Sequence, residues 1–236
     1  MDPVKIRVMG DDFLIFSLVE KAERMEILNG FEFEYAVFLT PSIDADYYIE
    51  AYSKKKEILS DYYAAAISAA AFLVLKRGLP LSEISFETPS GIVNIFCTGD
   101  SMFKVLITEC KELCTKSTEI LGCEIEYTDV LLWGTVRVVK AKNIEAFDVS
   151  ALPGFLLAGG KLPDSVALSS KRDEKLSVIA YNKFNPAPLT TLHSFAAAAY
   201  LEKTPYKEKI FFDDNVSYCI KEYSTLTVAT KPTVIE

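Results

Sequence analysis

The chain has few residues that can act as acid and base near neutral pH, because His193 is the only histidine among 236 residues. A Ser-His-Asp triad therefore has one possible base, and a metal site built on two or more imidazoles is excluded. The five cysteines are an odd number in a long chain, which argues against a disulfide framework and indicates a reducing compartment. We expect neither a bound metal nor a cofactor.

Basic residues are fewer than acidic ones, and the apolar runs of the sequence are short. The chain has 25 Lys and Arg against 33 Asp and Glu, a formal charge of −8. This balance argues against binding nucleic acid through phosphate neutralisation and against adsorption to anionic lipid. The longest apolar run, residues 64–75, is shorter than the roughly 20 residues of a membrane span. Because no basic segment follows Met1, no signal peptide is visible. We expect a cytoplasmic protein without nucleic-acid or membrane partners.

Hydrophobic residues make up 50% of the chain, enough for a folded core. Its length allows one large domain or two of about 120 residues. Two Ala-rich stretches predict helices, at residues 61–77 and 192–202. The first follows the capping candidates Ser60 and Asp61 and ends at Gly78. Both helices are apolar nearly all round, so each must be wrapped on all sides.

Short β-forming segments surround the two predicted helices. Turn-favouring residues separate them, which is typical of a mostly antiparallel meander. The segments are residues 5–16 (two strands around a turn), 35–39, 47–52, 84–86, 92–97, 103–108, 209–212, 216–220 and 225–230.

An internal repeat links the two regions. Ala-Tyr-Ser-Lys at residues 51–54 matches Ala-Tyr-Asn-Lys at residues 180–183, an offset of 129. The same offset superimposes the two Ala-rich helices and places Asp61 opposite Thr190. The chain is therefore predicted to be an α+β protein of two pseudo-symmetric halves, residues 1–114 and 115–236. Each half wraps a curved, mostly antiparallel sheet around one central helix.

The N-termini of the two buried helices are the main functional feature of this pattern. Their N–H groups and positive dipole ends favour a bound carboxylate. In a pseudo-twofold protein the equivalent ends can face a shared cleft, so we predict a site for a small acid in the interdomain cleft. The alternative is that Asp61 and Thr190 only cap their helices.

The order of motifs resembles a divergent diaminopimelate epimerase. It runs from Gly-Asp-Asp-Phe (10–13) through the first Ala-rich helix and Glu-Thr-Pro-Ser-Gly (87–91) to Trp-Gly-Thr-Val-Arg (133–137) and the second helix. Residues 185–201 are also similar to the phenazine-biosynthesis isomerases of the same superfamily. The resemblance covers nearly the whole chain as a weak pattern. It implies the diaminopimelate epimerase-like fold, and the pairing habit of the family is compatible with a homodimer.

The resemblance implies a mechanism that this chain has changed. Epimerases of the family invert a stereocentre with two cysteines at the helix N-termini, one as thiolate base and one as thiol acid. The first cysteine position falls here at Asp61, and the second falls at Thr190 or, if the alignment slips by one, at Thr191. None of the five cysteines takes either place, so a two-thiol mechanism is not expected.

The substrate-binding positions are altered as well. Two tyrosines, Tyr62 and Tyr63, replace the glycine and asparagine after the first cysteine. In Gly-Asp-Asp-Phe, Asp11 replaces an asparagine and Asp12 is kept. Gly-Asn-Pro-His becomes Gly-Thr-Val-Arg. The resemblance implies substrate contacts from the set Asp11, Asp12, Tyr62, Tyr63, Thr135, Arg137 and Thr191.

Carboxylate chemistry is the alternative within the superfamily, because the phenazine-type isomerases transfer protons with carboxylates. Glu34, before the strand at residues 35–39, matches the position of their catalytic glutamate. A buried Glu34 could carry a proton, and the alternative is a solvated or sheet-edge glutamate. His193 lies one turn into the second helix and is a candidate ligand for the substrate, or else a helix-surface or core histidine. The predicted catalytic groups are therefore Asp61, Glu34 and Thr190.

These features lead to two functional hypotheses. The first is a racemase/epimerase-type isomerase that acts on a small amino or carboxylic acid without the two-thiol mechanism. The second is a catalytically inactive protein with the same fold that binds a ligand or a protein partner. The second hypothesis depends on the loss of both cysteines and of the glycines that let backbone approach a ligand.

Overall fold

The computed structural model describes residues 3–59, 62–80, 82–108, 110–120, 123–132, 134–141, 154, 163–172, 175–182, 191–202, 207–212, 216–223 and 225–235. The chain divides into two compact units, Met1–Leu106 with Ala229–Glu236 and Ile107–Val228. The repeat carried no sign that the last residues belong to the first unit. The division at residues 114 and 115 stays a prediction.

The first unit is a mostly antiparallel sheet. Its strands are β1 (Val4–Val8), β2 (Asp11–Ser17), β3 (Tyr35–Pro41), β4 (Tyr47–Ser53), β5 (Glu83–Thr88), β6 (Gly91–Cys97) and β7 (Phe103–Ile107). They follow one another in chain order across the sheet, and the last strand of the chain, β16 (Thr233–Ile235), pairs with β1. Only β2 with β3 and β4 with β5 run parallel.

Each parallel pair is joined through a helix, because parallel neighbours need a crossover connection. Helix α1 (Lys21–Gly30) connects β2 to β3, and α2 (Tyr63–Ala71) connects β4 to β5. All residues of α2 except Ala64 are buried, and the helix packs against β1, β2, β3, β4 and β6. It continues as one π-helical segment, Phe72–Lys76, and ends before Gly78, whose φ is +72°.

The second unit repeats this arrangement. Its strands are β8 (Lys111–Ile120), β9 (Cys123–Leu131), β10 (Thr135–Lys140), β11 (Ser165–Arg172), β12 (Lys175–Asn182), β13 (Lys209–Phe212), β14 (Tyr218–Glu222) and β15 (Thr225–Thr230). They also follow chain order, with β10/β11 and β12/β13 as parallel pairs. Helix α3 (Leu192–Tyr200) follows β12 and packs against β10, β11, β12 and β14.

The predicted α+β fold is confirmed, with a sheet packed around one Ala-rich helix in each unit. The two helices begin at Tyr63 and Leu192, which are 129 residues apart as the repeat predicts. Their N-cap residues, Tyr62 and Thr191, lie one position after the predicted Asp61 and Thr190. Among the described residues, none of the helices is both long and apolar enough to cross a membrane.

Candidate active site

The second central helix starts with a hydrogen-bonded cap. Thr191 Oγ1 accepts from the backbone N–H of Ser194 at 3.1 Å, and Ser194 Oγ accepts from the Thr191 N–H at 3.0 Å. Both residues are buried. This capping box fixes the first turn of α3 and the positive end of its dipole. Thr191 therefore has the capping role predicted for Thr190, which lies outside the described residues.

Gly134, Asp164 and His193 meet near this helix start. A Cβ atom on Gly134 would lie 2.8 Å from Asp164 Oδ2 and 3.4 Å from His193 Cε1. Thr135 donates its backbone N–H to Asp164 Oδ2 at 2.8 Å, and the Asp164 N–H is donated to the Thr135 carbonyl at 2.8 Å. The two hydrogen bonds with Thr135 hold the half-buried Asp164 carboxylate beside Gly134. The His193 ring approaches the same side of Gly134.

The first unit holds an equivalent carboxylate at Glu34. Its Oε2 accepts the backbone N–H of Asp12 at 2.9 Å. Glu34 directly precedes β3 and Asp164 directly precedes β11, and each of these strands runs parallel to the strand that supplies the N–H. Glu34 and Asp164 are thus the same position of the repeat. The predicted candidate Glu34 is half-buried rather than buried.

The acidic pair at the start of β2 is held by different means. Asp12 forms a bidentate contact with Arg7, at 2.6 and 2.9 Å, and its Oδ2 lies 2.8 Å from Lys5 Nζ. Burial alone would raise the pKa of Asp12, but its hydrogen bonds to Arg7 and Lys5 and their charges hold it below the ordinary value. Asp11 is 4% exposed.

Two tyrosines fill the start of α2. Tyr62, at the N-cap position, is completely buried, and Tyr63 is 3% exposed. Burial raises the pKa of Tyr62 far above its ordinary value, so its hydroxyl stays protonated. In the second unit Leu192 follows the cap and is also completely buried. The predicted catalytic residue Asp61 lies outside the described residues.

Arg137 forms a buried ion pair inside the second unit. Its Nε and Nη2 atoms donate to Asp129 Oδ1 and Oδ2 at 2.8 and 2.9 Å, and its guanidinium lies 4.2 Å from the ring centre of Tyr127. Arg137 is 1% exposed. The structure thus gives Arg137 a partner within the core, and its predicted substrate contact stays a prediction.

None of the described cysteine side chains belongs to the first turn of α2 or α3. Cys97 is in β6, Cys110 precedes β8, Cys114 is in β8 and Cys219 is in β14. Burial raises the pKa of Cys97 and of Cys110 to about 11 and that of Cys219 well above its ordinary value. These three thiols are protonated at neutral pH and are poor bases.

Asp164 is the site residue that sequence reasoning missed. It is followed by a serine and lies just before a strand, and Asp-Ser pairs of this kind are common in turns. Aligning the Glu34-Tyr35 step with Asp164-Ser165 identifies it, but the Ala-Tyr match and the Ala-rich helices that carry the repeat do not include that step. Gly134 stands in the Trp-Gly-Thr-Val-Arg motif, which gives no sign of the close approach that this glycine permits.

The chain has the diaminopimelate epimerase-like fold. A phenazine biosynthesis protein of the PhzF family from Enterococcus faecalis matches with a TM-score of 0.72 and 12% identity, over 99% of this chain and 97% of that one. A predicted epimerase from Pseudomonas aeruginosa matches with a TM-score of 0.68 and 13% identity, over 99% and 96%.

A third similar structure was solved with a ligand. The hydroxyproline epimerase from Agrobacterium vitis, with bound trans-4-hydroxy-L-proline, matches with a TM-score of 0.64 and 9% identity, over 99% of this chain and 88% of that one. No protein-family model and no curated protein sequence matches the chain. The likeness lies in the fold, since the identities are 9–13%.

Proposed function

We propose that this protein is an isomerase of the racemase/epimerase class that acts on a small amino or carboxylic acid. In this proposal, carboxylate and imidazole groups transfer the proton in place of two thiols. The observation that carries the proposal is the convergence of Asp164 and His193 on Gly134 at the start of α3. The raised thiol pKa values, and the position of the described cysteines outside the first turns of the two central helices, support the exclusion of thiol chemistry.

Isomerisation at a carbon next to a carboxylate needs a base that removes a proton and an acid that returns one. Asp164 is suited to proton transfer because the backbone N–H of Thr135 orients its carboxylate through a hydrogen bond. His193 supplies an imidazole, a common general acid or base in enzymes. Glu34, held by the Asp12 N–H in the same way, is the second carboxylate of the proposal. Asp61 and Thr190 stay predicted contributors.

The proposed substrate is a small acid because of the environment at α3. The first turn of a helix presents N–H groups and the positive end of the dipole, which favour a carboxylate. Thr191 and Ser194 hold that turn in shape. Proline, hydroxyproline and short dicarboxylic acids are therefore the first compounds to try, the second of them being the ligand bound to the Agrobacterium vitis protein.

Exchange of the substrate α-proton with solvent tests the proposal. The protein is incubated in D2O with a panel of amino and dicarboxylic acids, and loss of the α-proton signal is followed by proton NMR. We expect exchange with at least one compound, and loss of that exchange in Asp164→Asn and in His193→Gln.

The matched control is Asp44→Asn, the same change at an exposed aspartate. It should exchange at the wild-type rate. Exchange that survives in Asp164→Asn, in protein that melts at the wild-type temperature, would refute the assignment of Asp164.

A second candidate function is favoured by the buried side chains at the helix starts. Tyr62, Tyr63 and Leu192 are 0%, 3% and 0% exposed, and the two tyrosines stand where the resemblance implies a glycine and an asparagine. The alternative is a catalytically inactive protein that binds a ligand or partner. Stabilisation by an acid of the panel in a thermal-shift assay, without any α-proton exchange, would support this alternative.

A further inference from the structure

A pocket lies at the opposite end of α2 from its N-terminus, within the first unit. Its volume is about 270 Å³. Most of its lining is apolar and comes from Leu18, Leu39, Phe72, Leu73 and Leu79. Apolar pockets with a few placed polar groups are typical of small-molecule sites. None of these residues belongs to the candidate active site.

The π-helical segment shapes this pocket. Arg77 donates its backbone N–H to the Phe72 carbonyl at 3.2 Å, a bond that spans five residues. Its guanidinium lies 5.3 Å from the ring centre of Phe72. Residues five apart do not share a face of an α-helix, so the wider turn is what brings Arg77 over Phe72. Short π-helical segments are frequent at functional sites.

Leu18 forms part of the rim in an unusual backbone conformation. Its φ is +60°, in the left-handed region that a branched side chain rarely adopts. The conformation is held because the Leu18 N–H donates to the Leu39 carbonyl at 2.9 Å. The side chain is 71% exposed. A strained residue with a large exposed apolar side chain beside a pocket indicates a functional constraint.

The polar groups of the pocket are basic and hydroxylic. Arg77 Nη2 donates to Ser17 Oγ at 3.2 Å, and both residues line the pocket. Lys76 is the residue before Arg77. Together these two cations outweigh the roughly half negative charge at the C-terminal end of a helix. A guanidinium at an apolar pocket matches a carboxylate, which it can bind with two parallel hydrogen bonds.

We propose that this pocket binds a small monocarboxylic acid with an apolar tail. Arg77 and Ser17 hold the carboxylate, and Leu18, Leu39, Phe72, Leu73 and Leu79 surround the tail. The pocket shares no residue with the proposed active site, so binding here does not depend on the isomerase proposal.

Isothermal titration calorimetry of the full chain with sodium octanoate tests the proposal. We expect saturable binding, weakened about tenfold or more in Arg77→Gln because the guanidinium is lost. 1-Octanol, with the same tail and no charge, should bind about tenfold more weakly than octanoate. Leu39→Trp, which fills the pocket, should abolish binding.

The matched control is Arg172→Gln, the same change at an exposed arginine in β11. It should bind octanoate like the wild type. The proposal is overturned if octanoate does not saturate the protein, or if Arg77→Gln binds as tightly as the wild type. Equal affinity for octanol and octanoate would also overturn it, since the pocket would then not select a carboxylate. Melting temperatures of the variants establish that each is folded.

Discussion

In both units a carboxylate directly ahead of a parallel strand accepts a backbone N–H from the strand beside it, yet the groups around the two carboxylates differ. In the first unit Glu34 is next to Asp12, which is neutralised by Arg7 and Lys5, and the central helix starts with a buried tyrosine. In the second unit Asp164 is next to glycine and histidine.

This difference separates what the fold needs from what a proton-transfer site needs. Both units keep the parallel pairs and the buried Ala-rich helix, so these belong to the fold. Only in the second unit do a carboxylate and an imidazole approach the same glycine. Within the proposed isomerase, we therefore infer that the second unit carries the larger share of the proton transfer. Substitutions at equivalent positions of the two units should therefore have unequal effects.

The largest expected effect concerns the buried ion pair of each unit. Arg137→Met should cost about 3–5 kcal/mol of unfolding free energy, because Asp129 would stay buried without its cation and, among the described residues, keep only the weak thiol contact of Cys114 at 3.9 Å. Arg24→Met, which breaks the pair with Glu50 in the first unit, should cost less, because the Tyr52 hydroxyl still donates to Glu50 at 2.7 Å. Urea denaturation measures both. Equal costs in the two units would contradict this reasoning.

A smaller effect is expected at Gly134. Gly134→Ala puts a methyl group 2.8 Å from Asp164 Oδ2 and should cost about 1–3 kcal/mol by forcing that carboxylate away from the Thr135 N–H. It should also reduce any isomerase activity. The control is Gly30→Ala, since nothing lies within 4 Å of a Cβ there. Thermal unfolding compares the two, and similar melting temperatures would argue against the crowding at Gly134.

The smallest expected effect is the stability that the ion pairs of Asp12 contribute at neutral pH. Because the folded-state pKa of Asp12 is lowered, its ion pairs stabilise the protein at neutral pH and lose that effect as the pH falls through the folded pKa. Asp12→Asn should cost about 1 kcal/mol or less at pH 7, since Lys5 and Arg7 are 41% and 52% exposed. The difference should vanish toward pH 2.

Urea denaturation across this pH range checks the prediction. Thr135→Ser, at the uncharged equivalent position of the second unit, serves as the control and should show a difference from the wild type that does not vary with pH. A cost of Asp12→Asn that stays constant down to pH 2 would contradict the ion-pair account.

The repeat was readable in the sequence because buried alanine runs recur at one offset, and α2 and α3 begin where that offset places them. Helix α1 was missed because its exposed, charged face dominates and one of its two buried residues is Arg24. Burial of an arginine depends on its ion pair with Glu50, 26 residues away, which no local pattern contains.

The site was harder to predict than the fold. Asp164 becomes a candidate only when strand pairing sets it opposite Thr135 and next to Gly134. The π-helical segment likewise has no sequence signal, because one extra residue in a turn does not disturb a uniformly apolar stretch. Glu34 was identified through the resemblance, and the structure adds that its hydrogen bond to Asp12 is repeated in the second unit.

The most direct test of the central claim is α-proton exchange by the double variant Glu34→Gln/Asp164→Asn beside wild-type protein treated with iodoacetamide. If carboxylates have replaced the thiols, the double variant loses exchange while the alkylated wild type keeps it. Exchange that survives in the double variant and is abolished by alkylation would contradict the account, because a cysteine would then transfer the proton.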